Sequence, residues 1–132
     1  MPADVDRARD AADAVVRRHP GLSLLVLFGS RARDDARPDS DWDFGYLAED
    51  TVDSLVLRAD LVEALGTDSI DLADLGGASA LLRYRAARDG VALFECRPDT
   101  FAAFWLDAVR FWCDVAPLVR RGYEAVLADL PA

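Results

Sequence analysis

The apolar residues of this chain follow two spacings, and these spacings predict a series of alternating helices and strands. Apolar runs of about four to eight residues, bounded by glycine, proline or acidic residues, are typical of strands. Apolar residues that recur every three or four positions are typical of amphipathic helices. The predicted strands are residues 22–28, 41–48, 69–75 and 91–95. The predicted helices are residues 3–19, 30–34, 52–65, 78–89 and 99–129.

The last predicted helix, residues 99–129, carries an apolar stripe that is long for so small a protein. Its members are three, four or seven positions apart, so they share one face of the helix. Part of the stripe is expected in the core, and part could form an exposed surface for self-association or for a partner. Pro117 is expected to kink or break the helix, because proline lacks the N–H group that a helix interior uses. The stripe consists of Phe101, Phe104, Trp105, Ala108, Phe111, Trp112 and Val115.

The strand at residues 22–28 stops at Gly29 and Ser30, and this junction has the features of an anion-binding turn. Glycine lets the backbone approach a ligand closely, and the first turn of the following helix offers free N–H groups. Ser30 adds a hydroxyl donor, while Arg31 and Arg33 add guanidinium groups that suit phosphate oxygens. The sequence therefore predicts a phosphate site at this turn.

Two carboxylates, Asp41 and Asp43, follow the turn, with ten residues between Ser30 and Asp41. Alternate residues of a strand share a face, so both carboxylates point the same way while Trp42 points to the opposite face. Two carboxylates beside a phosphate site would repel each other unless a cation lay between them. Mg²⁺ suits this position, because it binds a few carboxylates together with the phosphate oxygens of a substrate.

Gly-Ser after a strand is usually only a turn, and Asp-x-Asp is often solvated surface, but the two together resemble a known signature. Their order and spacing are similar to those of the polymerase β nucleotidyltransferase superfamily. The text GSRARDDARPDSDWD resembles the minimal nucleotidyltransferase (MNT) domain, the antitoxin half of HEPN–MNT toxin–antitoxin pairs. The likeness extends over roughly residues 22–120.

The MNT resemblance implies an α/β (α+β) fold. The expected core is polymerase-β-like, with a mixed sheet flanked by helices and a long C-terminal helix. The whole chain, residues 1–132, is expected to form a single nucleotidyltransferase domain, with a C-terminal helical segment at residues 99–129.

Asp71 lies between two apolar residues of the predicted strand 69–75, so its side chain faces away from both neighbours. A carboxylate in so apolar a strand needs a partner or a cation. The MNT resemblance implies that Asp71 is the third metal-binding acid. Asp74 and Asp68 match that position less well, because Asp74 would face the other way and Asp68 precedes the strand. A surface acid on an edge strand is the alternative interpretation of Asp71.

The MNT resemblance also implies a function. The chain is expected to transfer AMP from ATP to a tyrosine of a cognate HEPN ribonuclease toxin, which neutralises the toxin. The expected cofactor is Mg²⁺, with two ions bound. The expected catalytic and metal-binding residues are Asp41, Asp43 and Asp71, and the expected nucleotide-binding residues are Gly29, Ser30, Arg31 and Arg33.

Two other functions stay open. The protein could be a non-catalytic antitoxin that blocks the toxin by contact, or a nucleotidyltransferase that acts on a small molecule. Asp34 departs from the family text, which usually has glycine there, and this departure is expected to reduce activity without abolishing it. Arg83, Arg85 and Arg88 on the helix at residues 78–89 are expected to form a largely solvated face, from which one could reach a nucleotide phosphate.

Composition adds expectations about partners and location. The formal net charge of −9 argues against a direct nucleic-acid partner and favours a basic protein partner or a bound metal. No apolar run reaches the roughly 18 residues of a membrane span, and the acidic N-terminal region does not resemble a signal peptide. Cys96 and Cys113 lack metal-ligand spacing and are expected to be buried thiols. The expected location is the cytoplasm, with no membrane partner and with homo-oligomers possible.

Overall fold

The computed structural model describes residues 3–128, except for the side chains of residue 123 and residues 125–128. All predicted elements are present in the predicted order, and their ends lie within two residues of the predicted ends, except that the helix predicted over residues 3–19 ends at Val15. The first helix passes into a 3₁₀ turn at Val16–Arg18. The strands are β1 Leu22–Phe28, β2 Trp42–Ala48, β3 Ile70–Asp74 and β4 Val91–Glu95. The helices are α1 Ala3–Val15, α2 Ser30–Arg33, α3 Ser54–Leu65, α4 Ala80–Asp89 and α5 Thr100–Ala128.

The four strands form one mixed sheet in the order β3-β2-β1-β4. β1 pairs antiparallel with both β2 and β4, whereas β2 and β3 are parallel. β1 is an inner strand with helices on both sides, and all seven of its residues are buried. The expected mixed sheet is confirmed, and its inner strand leads directly into the Gly29–Ser30 turn.

Two separate apolar clusters pack on the two faces of the sheet. We call the face under α1 and α3 the closed face, and the face under α4 and α5 the cavity face. Alternate residues of each strand contribute to opposite clusters, as the pleat of a strand requires. The closed-face cluster includes Val5, Ala8, Leu27, Phe44, Leu57 and Leu61. The cavity-face cluster includes Leu24, Val26, Phe28, Ala86, Phe104 and Ala108.

Local capping explains where two of the helices begin and end. The Asp53 carboxylate accepts hydrogen bonds from the backbone N–H groups of Leu55 and Val56, which start α3. Gly66 ends α3 in the left-handed conformation, with φ 73°, as its sequence position predicts. The Ser79 hydroxyl caps α4 by accepting from the N–H of Leu82. These caps position β3 and α4, which both line a cavity beside the end of β1.

The apolar stripe of α5 is partly core and partly surface. Phe104 and Ala108 are buried in the cavity-face cluster. Trp105 and Phe111 are 44% and 48% exposed, and Leu118 further along the helix is 61% exposed. The helix is longer than the sheet it covers, so only its first turns reach the core. The stripe is therefore core at Phe104 and Ala108 and exposed surface at Trp105 and Phe111, and an interface on that surface stays a prediction.

Two expectations about the end of the chain are wrong. The break expected at Pro117 is absent, because α5 runs through this residue as one continuous helix, while the expected kink stays a prediction. This part of the helix is exposed, so solvent can satisfy the carbonyl group that proline leaves unpaired. The expected burial of the cysteines is also wrong, since Cys113 is exposed and Cys96 is half-buried, both as free thiols. None of the helices between residues 3 and 128 has the length and apolarity that a membrane span requires.

Candidate active site

A cavity of about 680 Å³ opens on the cavity face, where β1 ends and α2 begins. Its wall comes from five elements: the end of β1, α2, β2, β3 and α4. Three arginines and three aspartates contribute, so their formal charges cancel. The lining residues are Phe28, Gly29, Ser30, Arg33, Asp43, Phe44, Asp71, Leu72, Ala73, Leu82, Arg85, Arg88 and Asp89.

Asp43 and Asp71 lie side by side on neighbouring strands. β2 and β3 are parallel and pair Asp43 with Asp71, so both carboxylates point to the cavity face. Trp42, as the spacing predicts, points the other way and is buried on the closed face. Asp41 precedes β2, is exposed and is absent from the cavity wall, although its charge acts on Asp43. The structure therefore brings two of the three expected acids together and leaves the third at the entrance to β2.

The two weaker candidates for the third acid lie outside the cavity. Asp74 pairs in register with Tyr46, which is buried in the closed-face cluster. Its carboxylate accepts a hydrogen bond from the backbone N–H of Gly76 at 2.9 Å. Asp68 is exposed before β3, where its backbone carbonyl accepts from Arg58. Asp71 is exposed and lies on the edge strand, as the alternative interpretation held, but it is the acid of this strand that lines the cavity.

The electrostatics of the acids favour a bound cation. Desolvation by burial, followed by the negative charges of Asp71 and Asp41, raises the pKa of Asp43, and Arg33 opposes this only weakly. Across the described residues, no three acidic, histidine or cysteine side chains converge closely enough to enclose a metal by themselves. This open donor set of carboxylates fits Mg²⁺, which usually binds one or two carboxylates and completes its shell with substrate phosphates and water.

Position 29 requires glycine for two reasons, its backbone conformation and the closeness of the Asp43 side chain. Its φ of 73° and ψ of −158° lie in a region that is nearly exclusive to glycine. A Cβ atom here would also collide with the carboxylate of Asp43. The turn therefore places the backbone of Gly29 and Ser30 directly against the acid, which is the close approach expected from the sequence.

Arg31 does not reach the cavity, and its expected contact with phosphate does not fit this placement. Its guanidinium is buried, donates to the carbonyl of Ser40 at 2.7 Å, and pairs with Asp4 at 3.3 Å. It also stacks on the Trp42 ring, 4.3 Å from the centroid. Residues two positions apart on a helix point about 200° away from each other, so Arg31 and Arg33 cannot both face the cavity. Arg31 instead fixes the loop between α2 and β2.

Arg33 does line the cavity, as expected. Its Nη1 donates to Asp89 at 3.0 Å and its Nε donates to Asp35 at 3.1 Å. Hydrogen bonding to Asp35, and then to Asp89, raises the pKa of Arg33, so the group stays charged. Arg33 is therefore a cation at the site whose position is set by two carboxylates.

The basic face of α4 contributes more to the site than the sequence indicated. Arg85 and Arg88 both line the cavity, whereas Arg83 turns towards the Phe104 ring, 5.7 Å from its centroid. Sequence reasoning missed Asp89, which ends α4 and pairs with both Arg33 and Arg88. The available signal was three arginines on a ten-residue helix of a strongly acidic chain.

Comparison with known proteins agrees with this geometry. Residues 12–99 match the family described as Polymerase beta, Nucleotidyltransferase. The protein adenylyltransferase MntA of Aphanizomenon flos-aquae is 32% identical over 108 residues, which cover 73% of this chain and 72% of that protein. MntA of Shewanella oneidensis is 36% identical over 83 residues, which cover 61% and 59%.

Solved structures show the same fold. A crystal structure of a toxin–antitoxin with AMP-PNP superimposes with a TM-score of 0.77 at 26% identity, covering 90% of this chain and 98% of that one. An MNT antitoxin in complex with tri-AMPylated HEPN toxin of Shewanella oneidensis gives a TM-score of 0.72 at 24% identity, covering 94% and 98%. The second likeness, at this identity, shows the fold alone.

The fold and the paired acids beside a Gly-Ser turn define a nucleotidyltransferase. The chain belongs to the polymerase β nucleotidyltransferase family, and within that family it is similar to the MntA adenylyltransferases. The resemblance drawn from the Gly-Ser and Asp-x-Asp text is thus confirmed by a family match over residues 12–99.

Proposed function

We propose that this protein acts in the cytoplasm, where it transfers AMP from ATP to a tyrosine hydroxyl of a HEPN ribonuclease toxin and so neutralises the toxin. The observation that carries the proposal is the pairing of Asp43 with Asp71 against the Gly29–Ser30 turn, in a chain 32% identical to an MntA adenylyltransferase. The free thiols of Cys96 and Cys113 accord with a reducing compartment.

Asp43 and Asp71, with Asp41 close by, would hold Mg²⁺, and two ions are proposed. When bound, Mg²⁺ neutralises the triphosphate and lowers the pKa of a coordinated hydroxyl group. The open carboxylate set on the cavity face leaves positions for phosphate oxygens. Its two acids come from adjacent strands of a rigid sheet, so their separation is fixed before the substrate arrives.

The remaining lining residues bind and orient the substrate. Gly29 has no side chain, so a phosphate can approach the backbone beside Asp43, and the Ser30 hydroxyl can donate to it. Arg33, Arg85 and Arg88 place positive charge where pyrophosphate would leave. The tyrosine oxygen attacks the α-phosphorus, the bond from that phosphorus to the bridging oxygen breaks, and the phenolic proton is released.

Inhibition by contact alone is the second candidate function. Trp105, Phe111 and Leu118 expose apolar surface on α5, which favours a protein partner over a small-molecule acceptor. We propose that this surface contacts the toxin. Contact could silence the toxin without chemistry, so the test must separate binding from transfer.

The test uses ATP labelled at either the α- or the γ-phosphate, with Mg²⁺ and a purified HEPN toxin encoded beside this protein. Transfer of AMP predicts that the α-label joins the toxin and that the γ-label stays in pyrophosphate. A toxin with its acceptor tyrosine changed to phenylalanine is the matched control and should remain unlabelled. Labelling from the γ-position, or inhibition of the toxin with no label at all, would contradict the proposal.

A further inference from the structure

Asp89 joins two arginines that come from different helices. It is the last residue of α4, and only 9% of its side chain is exposed. Arg88 donates from Nε and Nη2 to both carboxylate oxygens at 3.0 Å. Arg33 of α2 donates from Nη1 to Oδ2, also at 3.0 Å. One carboxylate thus ties α2 to α4 across the wall of the cavity.

The charge of Asp89 is what allows this arrangement. The two guanidinium groups carry like charges and would repel each other without an anion between them. Hydrogen bonds from Arg88, and then from Arg33, lower the pKa of Asp89, so the carboxylate stays ionised. Hydrogen bonds between ionised groups are among the strongest in proteins and have strict geometry. Asp89 therefore fixes the direction of both arginines as well as their proximity.

Each arginine keeps an unused terminal nitrogen. Arg33 donates from Nε to Asp35 and from Nη1 to Asp89, and its Nη2 donates to no residue in the described part of the chain. Arg88 donates from Nε and Nη2 to Asp89, and its Nη1 has no acceptor among the described side chains and backbone groups. Phosphate oxygens can therefore bind both arginines while every bond to Asp89 is kept.

We propose that Asp89 is a positioning residue that holds Arg33 and Arg88 together to bind the pyrophosphate portion of a nucleoside triphosphate. The proposal rests on the proposed function, because it takes the cavity to be the ATP site. The opposite role would be a latch, in which Asp89 competes with phosphate for the arginines. The two roles differ in sign, since losing a latch strengthens ATP binding and losing a positioning residue weakens it.

The test compares ATP and AMP binding by calorimetry in wild-type protein and in Asp89→Asn. Asparagine has nearly the same size but no charge, so the arginines lose their fixed position. We expect the Kd for ATP to rise about tenfold, as is usual when a supporting partner is removed. The Kd for AMP should change little, because AMP lacks the pyrophosphate. Asp4→Asn is the matched control. Asp4 pairs with Arg31, which lies on α2 like Arg33 but outside the cavity.

A double-mutant cycle tests whether Asp89 acts through the arginines. In an Arg33→Ala, Arg88→Ala background, Asp89→Asn should have no further effect on ATP binding. Tighter or unchanged ATP binding in Asp89→Asn, an equal loss for AMP, or additivity in the cycle overturns the inference. If Asp89→Asn does not fold, Arg33→Lys replaces it, because lysine keeps the charge but cannot reach Asp89 and phosphate together. Wild-type protein that fails to bind ATP would overturn the proposed function, and this inference with it.

Discussion

The two faces of the sheet satisfy their polar groups in different ways. On the closed face, the Arg31 guanidinium is buried against Trp42, with Ser40 and Asp4 as hydrogen-bond partners. On the cavity face, the carboxylates of Asp43 and Asp71 lie side by side, and neither forms an ion pair with a basic side chain of the described residues. Carboxylates that the fold holds together without ion pairs of their own indicate the face where a ligand binds.

The same contrast occurs within a single strand. Along β2, Trp42, Phe44 and Tyr46 pack on the closed face, whereas Asp43 and Gly45 face the cavity side. A change at the closed-face positions should act on stability, and a change at Asp43 should act on chemistry.

Asp71→Asn should have the largest effect on activity. The substitution keeps the size of the side chain and removes its charge, which matters most in the transition state. We expect label transfer to the toxin to fall at least about a hundredfold, with ATP and toxin binding nearly unchanged. Cells that carry the toxin should then lose protection.

The control for Asp71→Asn lies on the same strand. Asp74→Asn removes a carboxylate that sits in register with Tyr46, outside the cavity, so transfer should stay near the wild-type rate. Full protection of cells by Asp71→Asn would mean that the protein works by contact and that the enzymatic proposal is wrong.

Phe104 and Trp105, adjacent on α5, should have opposite effects. Phe104 is 4% exposed, so Phe104→Ala should lower the free energy of unfolding by about 3–5 kcal/mol. Trp105 is 44% exposed, so Trp105→Ala should leave the melting transition cooperative and nearly unmoved while weakening capture of the toxin. Thermal melts beside a pull-down measure both. A large drop in the melting temperature of Trp105→Ala would mean that this residue stabilises the core and is not mainly a partner contact.

Arg31 and Arg33 provide a matched pair across the two faces. Arg31→Ala removes a buried guanidinium and should lower the free energy of unfolding by about 2–3 kcal/mol. Arg33→Ala should leave stability nearly unchanged and raise the KM for ATP about tenfold, because it removes a phosphate contact. Denaturant unfolding and steady-state kinetics separate the outcomes. An unaltered KM in Arg33→Ala would remove this arginine from the proposed site.

The difference between these arginines shows what the sequence can and cannot predict. Period-two spacing placed Asp43 on the opposite face from Trp42, and flanking apolar residues placed Asp71, because strand geometry fixes both. No local rule says which way the short α2 helix is rotated, and that rotation decides between Arg31 and Arg33. Asp89 was missed for a similar reason, since its contact with Arg33 joins residues 56 positions apart. Tertiary packing, in each case, sets the role.

The raised pKa of Asp43 predicts a pH dependence. Burial, with the charges of Asp71 and Asp41, favours the protonated form of Asp43. As the pH falls, Mg²⁺-dependent ATP binding should therefore be lost at a higher pH than it would be with an aspartate of ordinary pKa. Asp71→Asn removes one of these charges and should shift the midpoint of that loss to lower pH. Calorimetry across a pH series measures both midpoints, and identical midpoints would contradict the coupling of the two acids.

The same pKa has a consequence for stability in metal-free protein. A carboxyl group whose pKa is raised on folding stabilises the fold below its unfolded pKa, and this stability is lost as pH rises through the folded pKa. At neutral pH the ionised Asp43 therefore opposes folding. Asp43→Asn should raise the melting temperature of metal-free protein at pH 7 and lose that advantage when Mg²⁺ is added to the wild type. Equal melting temperatures of wild-type protein and Asp43→Asn without metal would contradict the conclusion that ionised Asp43 opposes folding.

Asp34 should give the smallest effect. It ends α2 in the left-handed conformation, with φ 63° and ψ 34°, at the position where the family text has glycine. Glycine adopts this conformation without steric cost, and aspartate tolerates it better than most residues, so Asp34→Gly should stabilise the protein by only about 0.5 kcal/mol. Asp34→Ala should do the opposite, because alanine has a Cβ and no polar group to compensate.

Asp34→Asn removes the charge beside Arg33 while tolerating the same backbone, so it isolates any electrostatic effect on ATP binding. If Asp34→Gly and Asp34→Ala have equal stability, backbone strain is not what distinguishes this turn from the family pattern, and the added charge is the remaining cause.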